Sequence, residues 1–219
     1  MNKKIAAICE GGFPDIWEGS HLSTSGIQYL MQHFPGLAKL NELSRMGLTR
    51  YAHTLLLVEG LYQIAIGAYP SFVRLDKRAA DRGEQVLSEQ QFNDFRDYIL
   101  PTLREPEIFK FMLVACIAHD YGVVEGDVRH FARSGVMSEP VFSQYGFSDS
   151  NVQLGKLLVA NHSFFGDLFI GEASPYFLIQ LLKKTELPEV FLKLELLLNV
   201  LDINAAAGGF LSKSKNDCL

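Results

Sequence analysis

Cysteine is scarce in this chain. Cys9, Cys116 and Cys218 are odd in number, widely spaced and free of any CxxC pattern. They signal neither a disulfide framework nor a thiolate zinc site, so a metal, if one is bound, must be held by histidine and carboxylate. Long apolar runs are missing too. Leu55–Val58 with Leu61–Ala68, and Phe109–Ala118, are interrupted or ended by Glu59, Gln63 or His119. Each falls short of the roughly 18–20 residues a membrane span requires, and no transmembrane helix is expected. Near the N-terminus, Lys3 and Lys4 precede only Ile5–Cys9, fewer than the about 7–15 apolar residues of a secretory signal, so a cytoplasmic location is expected. An excess of positive charge is also absent. Twenty Lys and Arg against 25 Asp and Glu leave a net charge of -5. Such a chain lacks the broad positive field on which non-specific nucleic-acid binding draws.

What is present is a chain of 219 residues, 48% hydrophobic, long enough to bury one good-sized core. No repeat or low-complexity tract divides it. Apolar residues recur at three- and four-residue intervals between helix start and stop signals, which predicts an all-α, single-domain helical bundle. Ile27, Leu30, Met31, Phe34, Leu37 and Leu40 outline one helix or two broken near Pro35-Gly36. About Thr49 to Ala68 reads as a long helix apolar nearly all round, hence buried. Ser88 and Gln91 form a capping box opening a helix to about Leu100, before Pro101. Pro106 suits the first turn of a helix to about His119. Further helices are expected at about 151–162, 175–184 and 188–206, the last closed by Gly208-Gly209. The stretches 71–83, 122–147 and 164–174 read as loops, with short helices at most, and residues 212–219 as a frayed tail.

Histidines and aspartates fall at telling places on these helices. His53 lies on the long buried helix, His119-Asp120 ends an apolar one, and Asn161-His162 ends another. Asp202 sits between Leu201 and Ile203 in the apolar last helix. Burying an unpaired carboxylate costs several kcal/mol, roughly, so Asp202 implies a cation, a metal or a hydrogen-bonding cluster. Helical proteins commonly converge such side chains on a metal at the centre of the bundle.

The sequence Arg50-Tyr51-Ala52-His53-Thr54, followed by Ala118-His119-Asp120-Tyr121-Gly122 and then Leu201-Asp202-Ile203, resembles the H…HD…D signature of the HD-domain superfamily of metal-dependent phosphohydrolases. The resemblance spans roughly residues 46–206. It implies a phosphohydrolase domain over 46–211, with residues 1–45 as a helical extension packed on it and 212–219 as the tail. It also implies that His53, His119, Asp120 and Asp202 bind a divalent metal. Two imidazoles and two carboxylates suit Mn, Fe, Ni, Co or Zn better than Ca or Mg. His162 is similar to the additional histidine of binuclear branches, in which Asp120 would bridge two ions; His130, Asp167 and Glu172 are the local candidates for further ligands. The alternatives for His162 are a general acid, with Asp120 or His162 handling protons, or a cap on its helix's last carbonyls.

The implied activity is hydrolysis of a phosphomonoester or phosphodiester of a small, nucleotide-like substrate by metal-activated water. The rival readings are a di-iron oxygenase of the HD type and a non-catalytic nucleotide-sensing or interaction module. Arg129, His130 and Arg133 are candidate substrate-binding residues, since a helical turn would put Arg129 and Arg133 on one face for a phosphate; the alternative is a solvated surface. Arg50, three residues before His53, either meets the phosphate or forms a salt bridge orienting Asp120 or Asp202. His21 and His33 are expected at the surface or satisfied in the core. No nucleic-acid or membrane partner is expected, and assembly as a homodimer is left open.

Overall fold

The computed structural model describes residues 15–45, 48–73, 87–124 and 130–216. These build an all-α fold with two minimal hairpins. A first hairpin, β1 (Trp17–Glu18) with β2 (His21–Leu22), leads into α1 (Thr24–His33) and α2 (Gly36–Leu40). A second, β3 (Ser44–Arg45) with β4 (Leu48–Thr49), leads into α3 (Arg50–Ile66). There follow α4 (Tyr69–Phe72), α5 (Glu89–Leu103), α6 (Pro106–Ala118), α7 (Phe131–Gln144), α8 (Asp149–Val159), α9 (Phe164–Phe169), α10 (Pro175–Leu182) and α11 (Pro188–Asn216).

The core forms around α6, in which Phe109 and every residue from Phe111 to Ala118 are buried. Such a helix has no solvent face and must be surrounded. It packs against α3, α7 and α8, with α5 and α11 closing the bundle. Residues 15–45 share this core, because Ile16, Leu22, Leu30, Phe34, Leu37 and Leu40 belong to the same buried cluster. Trp17 stacks on Tyr62 with ring centroids 4.0 Å apart, which is packing rather than a base-stacking site.

Local signals fix several boundaries. Thr49 accepts from the Ala52 N–H at 3.1 Å to start α3. At α5 the capping box forms in both directions, Ser88 N–H to Gln91 Oε1 at 2.9 Å and Gln91 N–H to Ser88 Oγ at 3.2 Å.

Three expectations are corrected. Helix α5 does not stop before Pro101 but runs on to Leu103; Pro101 removes a single N–H from the ladder, which resumes with Arg104 N–H to the Leu100 carbonyl at 3.0 Å, and buried Leu103 anchors the final turn. Helix α11 passes through Gly208-Gly209 and continues to Asn216, so the tail expected from 212 is helical up to that residue.

The largest correction is α7, fourteen helical residues within the stretch expected to be a loop. Gly135, Pro140 and several serines make it a poor helix by propensity. It forms because α7 and α8 make the most extensive helix pair of the bundle. At Gly135 a Cβ would lie 2.7 Å from Ala160 Cβ and 2.8 Å from the Lys156 carbonyl, so only glycine permits this approach. Glu139 on α7 pairs with Lys156 on α8. Within 164–174 the short helix that the expectation allowed is α9, six residues long.

Candidate metal centre

Five segments deliver polar side chains to one buried place. His53 projects from the first turns of α3 and Asp202 from α11. His119-Asp120 follows the last turn of α6, His130 immediately precedes α7, and His162 lies in the turn between α8 and α9. All except Asp202 are buried, and a quarter of the Asp202 side chain (25%) reaches solvent.

The contacts fall into two groups sharing Asp120. In the first, His53 Nε2 lies 2.8 Å from Asp202 Oδ1 and 3.3 Å from His119 Nε2, and His119 Nε2 lies 3.4 Å from Asp120 Oδ2. In the second, Asp120 Oδ1 lies 2.8 Å from His130 Nε2 and 4.0 Å from His162 Nε2. Among the described residues the metal-compatible sets are His53, His119 and Asp120, and Asp120, His130 and His162. Asp202 joins the first through His53.

Backbone carbonyls decide which nitrogens are available. The His119 Nδ1–H donates to the Cys116 carbonyl at 2.7 Å, and the His162 Nδ1–H to the Val159 carbonyl at 2.7 Å. A carbonyl can only accept, so each ring carries its proton on Nδ1 and, when neutral, presents a bare lone pair at Nε2. His162 therefore caps its helix with one nitrogen while offering the other to the cluster. Asn199 on α11 fixes this turn by donating to the His162 carbonyl at 3.0 Å.

Electrostatics tie the cluster together. Burial opposes charge on Asp120, yet His119, His130 and Arg50 hold its carboxyl well below the ordinary range. Burial opposes charge on Asp202 as well, and the bond from His53 with His162 and His119 nearby holds it at about 2. Burial alone would lower His119, but Asp120 and Asp202 raise it. Burial and neighbouring His119 pull His162 down to about 4, which leaves it a neutral imidazole and a poor proton donor near neutral pH.

These residues fit metal ions on a structural test. Among the described residues, Asp120 Oδ1 and both ring nitrogens of His130 are buried without an aligned hydrogen bond, although Oδ1 and Nε2 stand 2.8 Å apart. Buried polar atoms so close and so poorly aligned with each other are those a shared cation would satisfy. Four imidazoles and two carboxylates form a borderline, nitrogen-rich donor set.

Other expected residues fall in different places. Arg50 Nη1 donates to Asp120 Oδ2 at 2.7 Å, the orienting salt bridge of the two alternatives. Arg133 Nη1 donates to the Gly122 carbonyl at 2.8 Å and is not among the residues lining the pocket below. Arg129 lies outside the described residues. Asp167 accepts from Ser163 Oγ at 3.0 Å and belongs to neither metal-compatible set, and Glu172 is exposed. His21 pairs with Glu59 at 3.1 Å, and His33 Nδ1–H donates to the Tyr29 carbonyl at 2.9 Å, both satisfied away from the centre.

A cavity of about 340 Å³ opens over the cluster, lined by His53, His130, His162 and Asp202 together with Arg50, Phe131, Ser163, Asp167, Ile203 and Ala206. Of these walls Phe131, Ser163 and Ile203 were not legible as site residues. Phe131 directly follows His130, and that adjacency was the available signal. The neighbouring Phe164 belongs to the core, 3% exposed.

The fold and this cluster define an all-α protein with a buried histidine and aspartate centre able to hold metal. No protein-family model, curated protein or solved structure matches the chain. Among the described residues, no helix is long and apolar enough to cross a membrane.

Proposed function

We propose that this protein is an HD-type, metal-dependent phosphohydrolase that cleaves a phosphomonoester or phosphodiester of a small, nucleotide-like substrate with water. The observation that carries the reading is the pair of His/Asp sets sharing Asp120 beneath a cavity into which Arg50 also faces. His53, His119, Asp120 and Asp202 would hold one divalent ion, and Asp120, His130 and His162 a second, of Mn, Fe, Ni, Co or Zn type. When bound, such ions acidify coordinated water and offset the charge that builds on phosphoryl oxygens.

The chain's own residues do the rest. Arg50 fixes the Asp120 carboxylate with one Nη and has further N–H donors for a phosphoryl oxygen at the cavity. The Cys116 and Val159 carbonyls hold His119 and His162 with Nε2 turned to the cluster. Full burial of His119 and Asp120 keeps bulk water from the base of the site.

The test is elemental analysis of the purified protein, followed by turnover of a generic phosphoester after loading with each of these metals. Metal content with metal-dependent release of phosphate or alcohol is expected. A protein that takes up no metal and gains no activity with any of them overturns the proposal. The four histidines also suit the di-iron oxygenase reading; an oxygen-sensitive iron spectrum without phosphoester turnover would favour it.

A further inference from the structure

The cavity holds a charge that phosphate recognition does not use. The Asp167 carboxylate lines it, half-buried on α9, and the Ser163 hydroxyl is its hydrogen-bond partner at 3.0 Å. No cation neutralises it among the described residues, and it belongs to neither metal-compatible set. Left facing a phosphoryl group it would repel the substrate; facing the rest of the substrate it would accept hydrogen bonds.

The surroundings narrow what that remainder is. A carboxylate accepts from hydroxyl, neutral N–H or ammonium groups. An ammonium would also sit near the divalent ions proposed for the cluster, a repulsion that neutral hydroxyls avoid. Ser163 Oγ, which donates to Asp167, keeps lone pairs of its own beside the carboxylate, so two acceptors stand together on one wall. Adjacent hydroxyls of a sugar match such a pair. Phe131 and Ile203 add apolar wall, and Ile203 is 55% exposed.

We infer that Asp167, supported by Ser163, is a specificity-determining residue that binds the vicinal diol of a ribose-type leaving group, with the phosphoryl group at the His/Asp cluster. This rests on the phosphohydrolase reading for the placement of the phosphate. A site built to hydrogen-bond a hydroxyl discriminates strongly against an analogue lacking it, because its polar groups are then left unpaired.

The test compares AMP with its 2′-deoxy counterpart on the metal-loaded protein, by calorimetric binding and by turnover. Wild type is expected to favour the ribonucleotide by about tenfold or more, and Asp167→Asn to lose most of that ratio through affinity and KM, with kcat changing much less. Equal binding of the two nucleotides by wild type overturns the inference. So does preference for an aminoalkyl phosphate over AMP, or an Asp167→Asn loss on p-nitrophenyl phosphate as large as that on AMP, which would place Asp167 among the metal ligands. Ribo-selective binding that Asp167→Asn abolishes, with no ester cleaved, would uphold the diol site and overturn the hydrolase reading alone.

Discussion

Asp120 is the residue on which the centre turns, since one oxygen faces His119 and Arg50 while the other faces His130 and His162. Replacing it with alanine removes the ligand common to both sets and strands the Arg50 guanidinium, whose side chain is 11% exposed. Asp120→Ala should therefore abolish metal uptake by elemental analysis and destabilise the fold by about 3–5 kcal/mol, the usual cost of breaking a buried ion pair on one side. A variant retaining a full complement of metal would refute this role. Glu195 presents the opposite case. It is fully buried on α11, neither carboxylate oxygen is bonded among the described residues, and burial pushes its carboxyl well above the usual range. A carboxyl raised in the fold contributes no penalty below its unfolded pKa; stability is then lost as pH rises above that value, because only the unfolded chain ionises freely. Glu195→Met, similar in length and apolar, should stabilise the protein by about 1–3 kcal/mol near pH 8. The gain should shrink as pH falls toward about 4. Chemical denaturation at the two pH values reads it, and a pH-independent difference would contradict the argument.

At the scale of elements, the centre depends on how α7 meets the end of α6. Gly122, two residues after Asp120, donates its N–H to Ser134 Oγ at 2.9 Å, and a Cβ there would sit 2.7 Å from the Arg133 carbonyl carbon and 2.8 Å from the His130 carbonyl oxygen. Gly122→Ala must push α7 away from α6, and His130 moves with it. The expected result is a fold preserved by circular dichroism but metal content reduced toward one ion per chain; undiminished content would show that the contact does not position His130. This dependence also explains what could be read in advance. Helices α3 and α6 were legible because their apolar residues leave no polar face, and α5 because Ser88 and Gln91 mark its start. Helix α7 was not, since Gly135 and Pro140 argue against a helix locally and the close approach to α8 that requires glycine exists only after folding. His53, His119, Asp120 and Asp202 stood out as polar residues on apolar helices. His130, on what looked like a loop, could be named as a candidate but not placed, and the walls Phe131 and Ser163 were hidden for the same reason.

For the whole molecule, the centre joins α3, α6, α7, α11 and the turn between α8 and α9, so a bound ion would act as a cross-link between segments as far apart in sequence as His53 and Asp202. Ions that bind the folded chain alone stabilise it by mass action. One site held at 100 times its Kd adds about 2.7 kcal/mol. For a chain of this length each kcal/mol moves the thermal midpoint by roughly 2–4 °C, so filling one site should raise it by roughly 5–11 °C. The net charge of -5 bears on the same experiment. An acidic protein meets a phosphorylated ligand with an unfavourable overall field, so on the proposed reading attraction would come locally from Arg50 and from the ions the centre would hold. Stripping metal with a chelator should therefore lower the thermal midpoint and, in the same titration, abolish the further stabilisation that AMP gives the loaded protein. A midpoint indifferent to chelation would mean that His53, His119, Asp120 and Asp202 are joined by hydrogen bonds alone. Nucleotide stabilisation that survives chelation would place the anion on Arg50 without metal.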